Sequence, residues 1–490
     1  MNKRLLPLAW AVAAVVAGPG GAAAGPDETE TPEPEVPDTG EPRPMTARDV
    51  ATAPRSHEAR GLSTPDPSRE ESASRVIGRG LLSLPRWGFQ LAMQPVRGAV
   101  WVYERYQIGP RLMVVFFDDT MTYGVYPAFF FETGFGFNAG VRAVHRDLFG
   151  QRESLRARAG WGGEQTQSYA LTAGTGQRFG RVELELSGEI ELRDRDRFDG
   201  IGDRDLVGAE DVVFPLDPLG EGAAVRSRYR QRYSRMWGAA DVAVAGPLSA
   251  RASAGIIDRK LNDDDVETRG DEVISDAYDI ALLPGFSEDP TLGYGELELV
   301  YSTRRPVSRY VPSPWWSAGW HLRGFGGYAN GIGDDASEFF RYGVDLQRYV
   351  NLFGATRVLV LRLYGEGLSE DPGPNVPFTE LPSLGGRYLL RGYHRSRFRD
   401  RYIGMGSAEY QFDVTAATYG YLFVDAGKAI RDIDSDALDS PRVGFGGGFQ
   451  INTDRSFLAR ILIAGTKDGD FLFSLTFEPQ FDLRERFNRR

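Results

Sequence analysis

The chain has 490 residues, is rich in glycine (59) and in aromatics (29 Phe, 21 Tyr, 8 Trp), and carries a net charge of −11. That balance offers no global basic field for nucleic acid, and the complete lack of cysteine excludes disulfides, thiolate metal sites, iron–sulfur clusters and thiol nucleophiles. His57, His145, His321 and His394 share no short metal-ligand spacing, and past residue 25 no apolar run reaches the roughly 18 residues of a membrane-spanning helix.

In chain order, Lys3 and Arg4 precede an apolar stretch from Leu5 to Ala17, and Ala22-Ala23-Ala24 offers a small-residue cleavage site. This three-part pattern predicts a secretory signal peptide over residues 1–24. No Cys follows to take a lipid anchor. Residues 25–74 include DETETPEPEVPDTGEPRP, acidic and Pro-rich. They have almost nothing to bury and are predicted to be a disordered linker. Residues 75–110 mix Trp, Phe and Leu with Arg. Within them, 96–106 reads either as an amphipathic helix at an interface or barrel mouth, or as a helix packed on a barrel end.

A barrel domain is predicted over 111–481, and from about Thr120 to 481 the dominant signal is a period of two. In 182–193, Val182, Leu184, Leu186, Ile190 and Leu192 share one face while Glu183, Glu185, Glu189 and Glu191 share the other. Near the C-terminus Phe471, Phe473, Leu475, Phe477 and Phe481 alternate with Ser474, Thr476, Glu478 and Gln480. A soluble sandwich would also alternate. Segments of about 10–13 residues with aromatic-rich faces in an exported chain fit tilted membrane-spanning strands instead. Sixteen such segments are predicted: 120–132, 135–146, 153–163, 167–177, 181–193, 226–245, 248–259, 293–304, 315–327, 338–350, 355–367, 401–413, 417–427, 441–452, 456–466 and 470–481. The connections 194–225, 260–292 and 368–400 follow odd-numbered segments and are long. Those after even-numbered segments are short, such as Gly246-Pro247, with 305–314 the longest. Sorting by parity is what an outer-membrane barrel shows. The expected fold is therefore all-β, a 16-stranded antiparallel transmembrane β-barrel in the bacterial outer membrane, behind a disordered Pro-rich N-terminal segment. A charged tail follows at 482–490.

The stretch LPSLGGRYLLRGYHRSRFRDRYIGMGSAEYQFDV, residues 381–414, resembles the BamA/TamA superfamily of outer-membrane barrels, the bacterial surface-antigen family. Leu390-Arg391-Gly392-Tyr393 matches its (V/L)RG(F/Y) motif. Phe198-Asp199-Gly200-Ile201-Gly202 is similar to its F-x-G-I-G segment, and Phe423-Val424-Asp425-Ala426-Gly427 to its FxDxG strand. GFGGGFQI, ARILIAG and FLFSLTF are similar to its last three strands. The resemblance covers about residues 110–481. It implies that the connection carrying the motif folds back into the lumen, and that Arg391 pairs there with Glu409 and Asp425. A guanidinium in a narrow lumen needs such fork-geometry acceptors. Gly392 permits a tight turn, and Tyr393 packs on the wall and donates one hydrogen bond. Two departures stand beside it. Residues 26–110 lack the helix and strand pattern of the periplasmic POTRA modules that insertase members carry, and the terminal strand aromatic, Phe481, is followed by the charged tail.

Simple alternation places Asp425 on the face of Tyr419, Tyr421 and Phe423, so either those aromatics face inward or a bulge shifts the register. Arg226, Arg228, Arg230 and Arg232 alternate with Tyr229 and Tyr233. They read as a basic lumen stripe that balances the glutamates of the preceding strand, or that binds an anionic substrate or lipid headgroup. No histidine–serine constellation or carboxylate pair points to an enzyme, and no cofactor or metal is implied. The resemblance implies insertion or translocation of protein or lipid, and the missing modules leave a passive channel or structural barrel as the alternative. Expected partners are outer-membrane lipids, a client polypeptide or lipid, and a separate periplasmic protein; nucleic acid is not expected.

Overall fold

The computed structural model describes residues 122–480 except 307–316, 353–356, 374, 415–417, 434–438 and 453–456, together with 94, 98, 105, 106, 111 and 114–120. The expected signal peptide, the linker, the C-terminal tail and almost all of 75–110 lie outside the described residues. Among those described there is no POTRA-like module.

Sixteen long strands form the barrel. They are β1 (Tyr123–Glu132), β2 (Gly136–His145), β3 (Ser154–Trp161), β4 (Gln165–Gly174), β5 (Val182–Phe198), β6 (Ser227–Ala245), β7 (Leu248–Asn262) and β8 (Thr291–Ser302). The second half is β9 (Ser317–Gly331), β10 (Glu338–Asn351), β11 (Arg357–Leu368), β12 (Tyr402–Asp413), β13 (Thr418–Ile430), β14 (Arg442–Asn452), β15 (Phe457–Thr466) and β16 (Phe471–Gln480). Each pairs antiparallel with its neighbours in sequence, and β1 pairs with β16 to close the cylinder. Closure removes the free edges that an open sheet would leave. Two short additions are not part of the cylinder: Glu272–Val273 joins β6 in parallel, and Ser383–Leu384 pairs with Phe398–Arg399 inside the lumen.

The two faces meet different surroundings. The outer face exposes a ring of large apolar side chains that includes Leu186, Met236, Ile256, Leu297, Leu363, Leu422 and Ile463, each at least half exposed. A water-soluble protein rarely shows so continuous an apolar surface; a lipid-facing band requires it. The inner face is polar and heavily paired. Glu185 accepts from Arg156 and Arg251, and Glu189 from Arg158 and Arg235. Partly buried charges on the wall pair across strands because an unpaired buried charge is costly.

The end of the barrel that bears the long connections is capped by an apolar core. Phe198, Ile201, Tyr278, Phe286 and Phe378 pack on Tyr229 and Tyr233 of β6, with Phe198 edge-on to both Tyr278 and Phe378. This packing overturns the lumen stripe. In an antiparallel pair, directly opposite residues share a face. Glu189 lies opposite Arg235 and Glu191 opposite Tyr233, whereas Arg232 lies opposite Leu192. Tyr229, Gln231, Tyr233 and Arg235 therefore line the lumen, Arg230 and Arg232 turn to the opposite face, and Arg228 lies opposite Arg197 with its guanidinium on Glu164. Register decides the face, and a one-residue error inverts it; here the tyrosines are drawn inward by the aromatic cap. Arg228 is buried in ion pairs with Glu164 (2.7 Å) and Asp271 (2.6 Å), Arg226 lies 3.9 Å from Asp199, and Arg232 is exposed.

Candidate functional site

The connection between β11 and β12, residues 369–401, folds back into the lumen, and its centre is Arg391. The guanidinium grips Asp425 of β13 with two parallel bonds, Nε to Oδ2 and Nη2 to Oδ1, both 2.8 Å. The Arg391 backbone N–H donates to the same carboxylate at 3.0 Å. Nη1 donates to Glu409 of β12, and Nη2 to Ser407 Oγ at 3.2 Å. Ser407 in turn donates to Asp425 Oδ1 at 2.6 Å. Below lies the Phe423 ring, 3.6 Å from the guanidinium carbon to the ring centroid, a cation–π contact that desolvation strengthens. Asp425 is fully buried, so almost all of its acceptor capacity is met by Arg391 and Ser407.

The backbone that presents Arg391 is demanding. Leu390 and Gly392 both have positive φ, 52° and 112°, a region that glycine alone enters freely. A Cβ on Gly392 would also meet the Gly465 carbonyl oxygen at 2.8 Å. From the wall side, a Cβ on Gly444 of β14 would come within 1.8 Å of the Arg391 carbonyl oxygen. The glycine run of β14 thus provides the groove in which the motif backbone lies.

Tyr393 is buried, packs edge-on against Phe398, and donates to Asp468 Oδ2 in the β15–β16 turn at 2.6 Å. Asp468 also accepts from Arg442, which pairs with Asp203 of the F-x-G-I-G connection at 2.6 Å. Burial alone would raise the Asp468 carboxyl, but the Tyr393 hydrogen bond and the Arg442 charge outweigh it and hold it below the usual carboxylate range. On the opposite wall, buried Glu380 takes Arg259 of β7 (2.7 Å) and Arg341 of β10 (3.1 Å).

The structure thus brings Arg391, Gly392, Tyr393, Glu409 and Asp425 into one cluster. Of the two ways to place Asp425, the first applies: Tyr419, Tyr421 and Phe423 face inward and are buried beside it, with no bulge recorded in β13. Sequence reading missed Ser407, Gly444, Asp468 and Glu380. Their signal is positional only, since each is defined by what lies opposite it.

It also missed Arg387, which joins the connection to the barrel seam. Its guanidinium lies 5.0 Å from the centroid of Phe130 on β1, and Nη1 donates to Thr476 Oγ1 on β16 at 3.3 Å. The seam itself is short. β1 registers with β16 over four residue pairs, Phe129–Phe477 to Glu132–Ser474, against ten pairs with β2. On the lipid side Phe129 stacks on Phe477, with centroids 4.8 Å apart.

The reason for the short seam is legible in the ladder. Thr133 N donates to the Phe473 carbonyl at 2.9 Å, so the odd residues of β1 turn their N–H groups toward β16. Pro127 lies next on this edge past the last registered pair and has no N–H to offer β16. From Phe477 to Gln480 the β16 strand is itself irregular, its pairing with β15 shifting by one residue, and the ladder stops at Phe129–Phe477.

A closed cylinder with an apolar outer wall, a paired-charge lumen and an inward-folded connection is a transmembrane β-barrel with a tethered plug. The Omp85 superfamily domain matches residues 147–464, more than half of the chain, and the protein belongs to that superfamily. Among solved structures, BamA from Haemophilus ducreyi lacking POTRA domains 1–3 is similar at 13% identity, with a TM-score of 0.50, over 72% of this chain and 69% of that one. This likeness shows the fold. CdiB from Acinetobacter baumannii aligns at 11% identity and a TM-score of 0.46, over 73% of this chain and 60% of its own. No curated protein matches the chain in sequence.

Proposed function

We propose that this barrel works in the bacterial outer membrane, inserting or translocating protein or lipid through the seam between β1 and β16. The observation that carries the reading is the four-pair seam, which ends at Phe129–Phe477 just before Pro127. An edge with unsatisfied N–H and C=O groups is a template for another strand. Below Phe129 the β16-facing edge of β1 is covered at Tyr123, whose carbonyl accepts from the Asp118 N–H and whose N–H donates to the Asp118 carboxylate, so a client strand would add over Val125 to Pro127 or displace residues 117–118. Membership of the Omp85 superfamily supports the reading. In this proposal outer-membrane lipids surround the barrel, and a separate periplasmic protein supplies what POTRA modules supply elsewhere. No catalytic step is involved.

A second reading, a closed channel or structural barrel, is favoured by the dense anchoring of residues 369–401 and by the apolar cap. One experiment separates the two. Phe131→Cys with Leu475→Cys places two thiols at directly opposite seam positions in a chain without other cysteines. If the oxidised barrel loses its cellular phenotype and regains it on reduction, the seam must open. Full function in the oxidised state would establish the closed barrel.

A further inference from the structure

The outward turn of the β6 arginines leaves a cationic rung on the lipid-facing wall. Arg232 of β6 lies directly opposite Lys260 of β7, and both side chains are exposed. Like charges directly opposite on neighbouring strands repel and destabilise the pair. Neither has an ion-pair partner among the described residues. The nearest carboxylate on the same face of the rung below, Asp258, is already engaged by Ser234 Oγ (3.2 Å) and Thr291 Oγ1 (2.9 Å). One rung above, Arg230 adds a third cation; it donates to the Asp265 carbonyl and lies 3.9 Å from the half-exposed Asp194. Two same-face steps below, Met236 and Ile256 lie opposite each other in the apolar band, 62% and 50% exposed. The step from band to rung is four residues, about 13 Å along a strand.

We propose that Arg232 and Lys260, with Arg230 beside them, bind the phosphate of an anionic lipid headgroup in the leaflet nearest the long connections. One phosphate between the two side chains converts their repulsion into a bridge: the guanidinium offers a two-pronged fork and the ammonium a point charge. A lipid fits better than a free anion. The rung shares its face with Met236 and Ile256, so acyl chains on the band and phosphate on the rung belong to one ligand. A free anion would gain only two exposed charges screened by salt. The site goes beyond the proposed function and does not depend on seam opening.

The full chain, refolded into phosphatidylcholine vesicles with or without phosphatidic acid, tests this by the temperature at which its heat-dependent gel shift occurs. Phosphatidic acid should raise that midpoint for the wild type. Arg232→Gln with Lys260→Gln should keep or raise the midpoint in phosphatidylcholine alone, because the repulsion is gone, and should lose the rise with phosphatidic acid. Should the double variant refold poorly, Lys260→Gln alone should reduce the rise. An undiminished rise in these variants, or no rise in the wild type, overturns the proposal. An equal rise from inorganic phosphate added to phosphatidylcholine vesicles would make it a free-anion site and overturn the lipid assignment.

Discussion

Arg391 and Asp425 depend on each other because each is a buried charge that the other neutralises. Removing the guanidinium leaves Asp425 without its two-pronged partner, a loss of about 3–5 kcal/mol for a buried pair. Arg391→Ala should therefore free residues 369–401 and expose them to protease in the folded barrel, read by limited digestion of membranes. Replacing both partners by apolar residues, Arg391→Met with Asp425→Leu, should cost less than the single change, since no orphaned charge remains. A conservative change on the wall should do comparable harm by a different route. Gly444→Ala places a methyl group 1.8 Å from the Arg391 carbonyl oxygen, and backbone on both sides cannot yield as a flexible side chain would. We expect Gly444→Ala to displace the motif and give the same protease pattern as Arg391→Ala, although Arg391 itself is intact.

At the scale of elements, residues 369–401 act as a strut that touches three parts of the wall. Arg391 holds β12 and β13, Glu380 holds β7 and β10, and Arg387 bridges β1 and β16. Only the last contact crosses the seam. Arg387→Ala removes the stack on Phe130 and the bond to Thr476, and it leaves Arg395 and Arg197 as the charges facing buried Glu132. It should leave the gel-shift midpoint nearly unchanged and raise the rate at which Phe131→Cys and Leu475→Cys react with a bulky thiol reagent, which reports transient seam opening. An unchanged rate would mean that the four-pair ladder and the Phe129–Phe477 stack hold the seam without the strut.

For the molecule as a whole, closure makes unfolding cooperative. No strand of the cylinder has a free edge from which to fray, except at the short seam. The folded chain should sediment with outer membranes and migrate faster on unheated than on heated gels. Recovery as a soluble periplasmic protein would sink the membrane assignment. Cutting the strut by protease in the Arg391→Ala variant should leave the heat shift in place, because the sixteen-strand ladder does not pass through it.

The amino-acid sequence by itself determined the number of strands, their bounds to within a few residues, and the parity of long and short connections. Alternation and turn residues are local, and a strand that faces lipid on one side and a polar lumen on the other must carry its pattern in its own residues. The motif around Arg391 was legible through its resemblance to the (V/L)RG(F/Y) pattern, and the positive φ of Gly392 shows why that pattern needs its glycine. Tertiary structure decided what pairing decides. The face of Arg232 depends on its register against Leu192 and Lys260, and Asp425 belongs to Arg391 only because the connection folds inward past Tyr421 and Phe423. Pro127 is visible in the chain, but only the closing register places it just past the last rung of the seam. Which donor meets which acceptor across strands hundreds of residues apart is a property of the closed cylinder, and no local pattern encodes it.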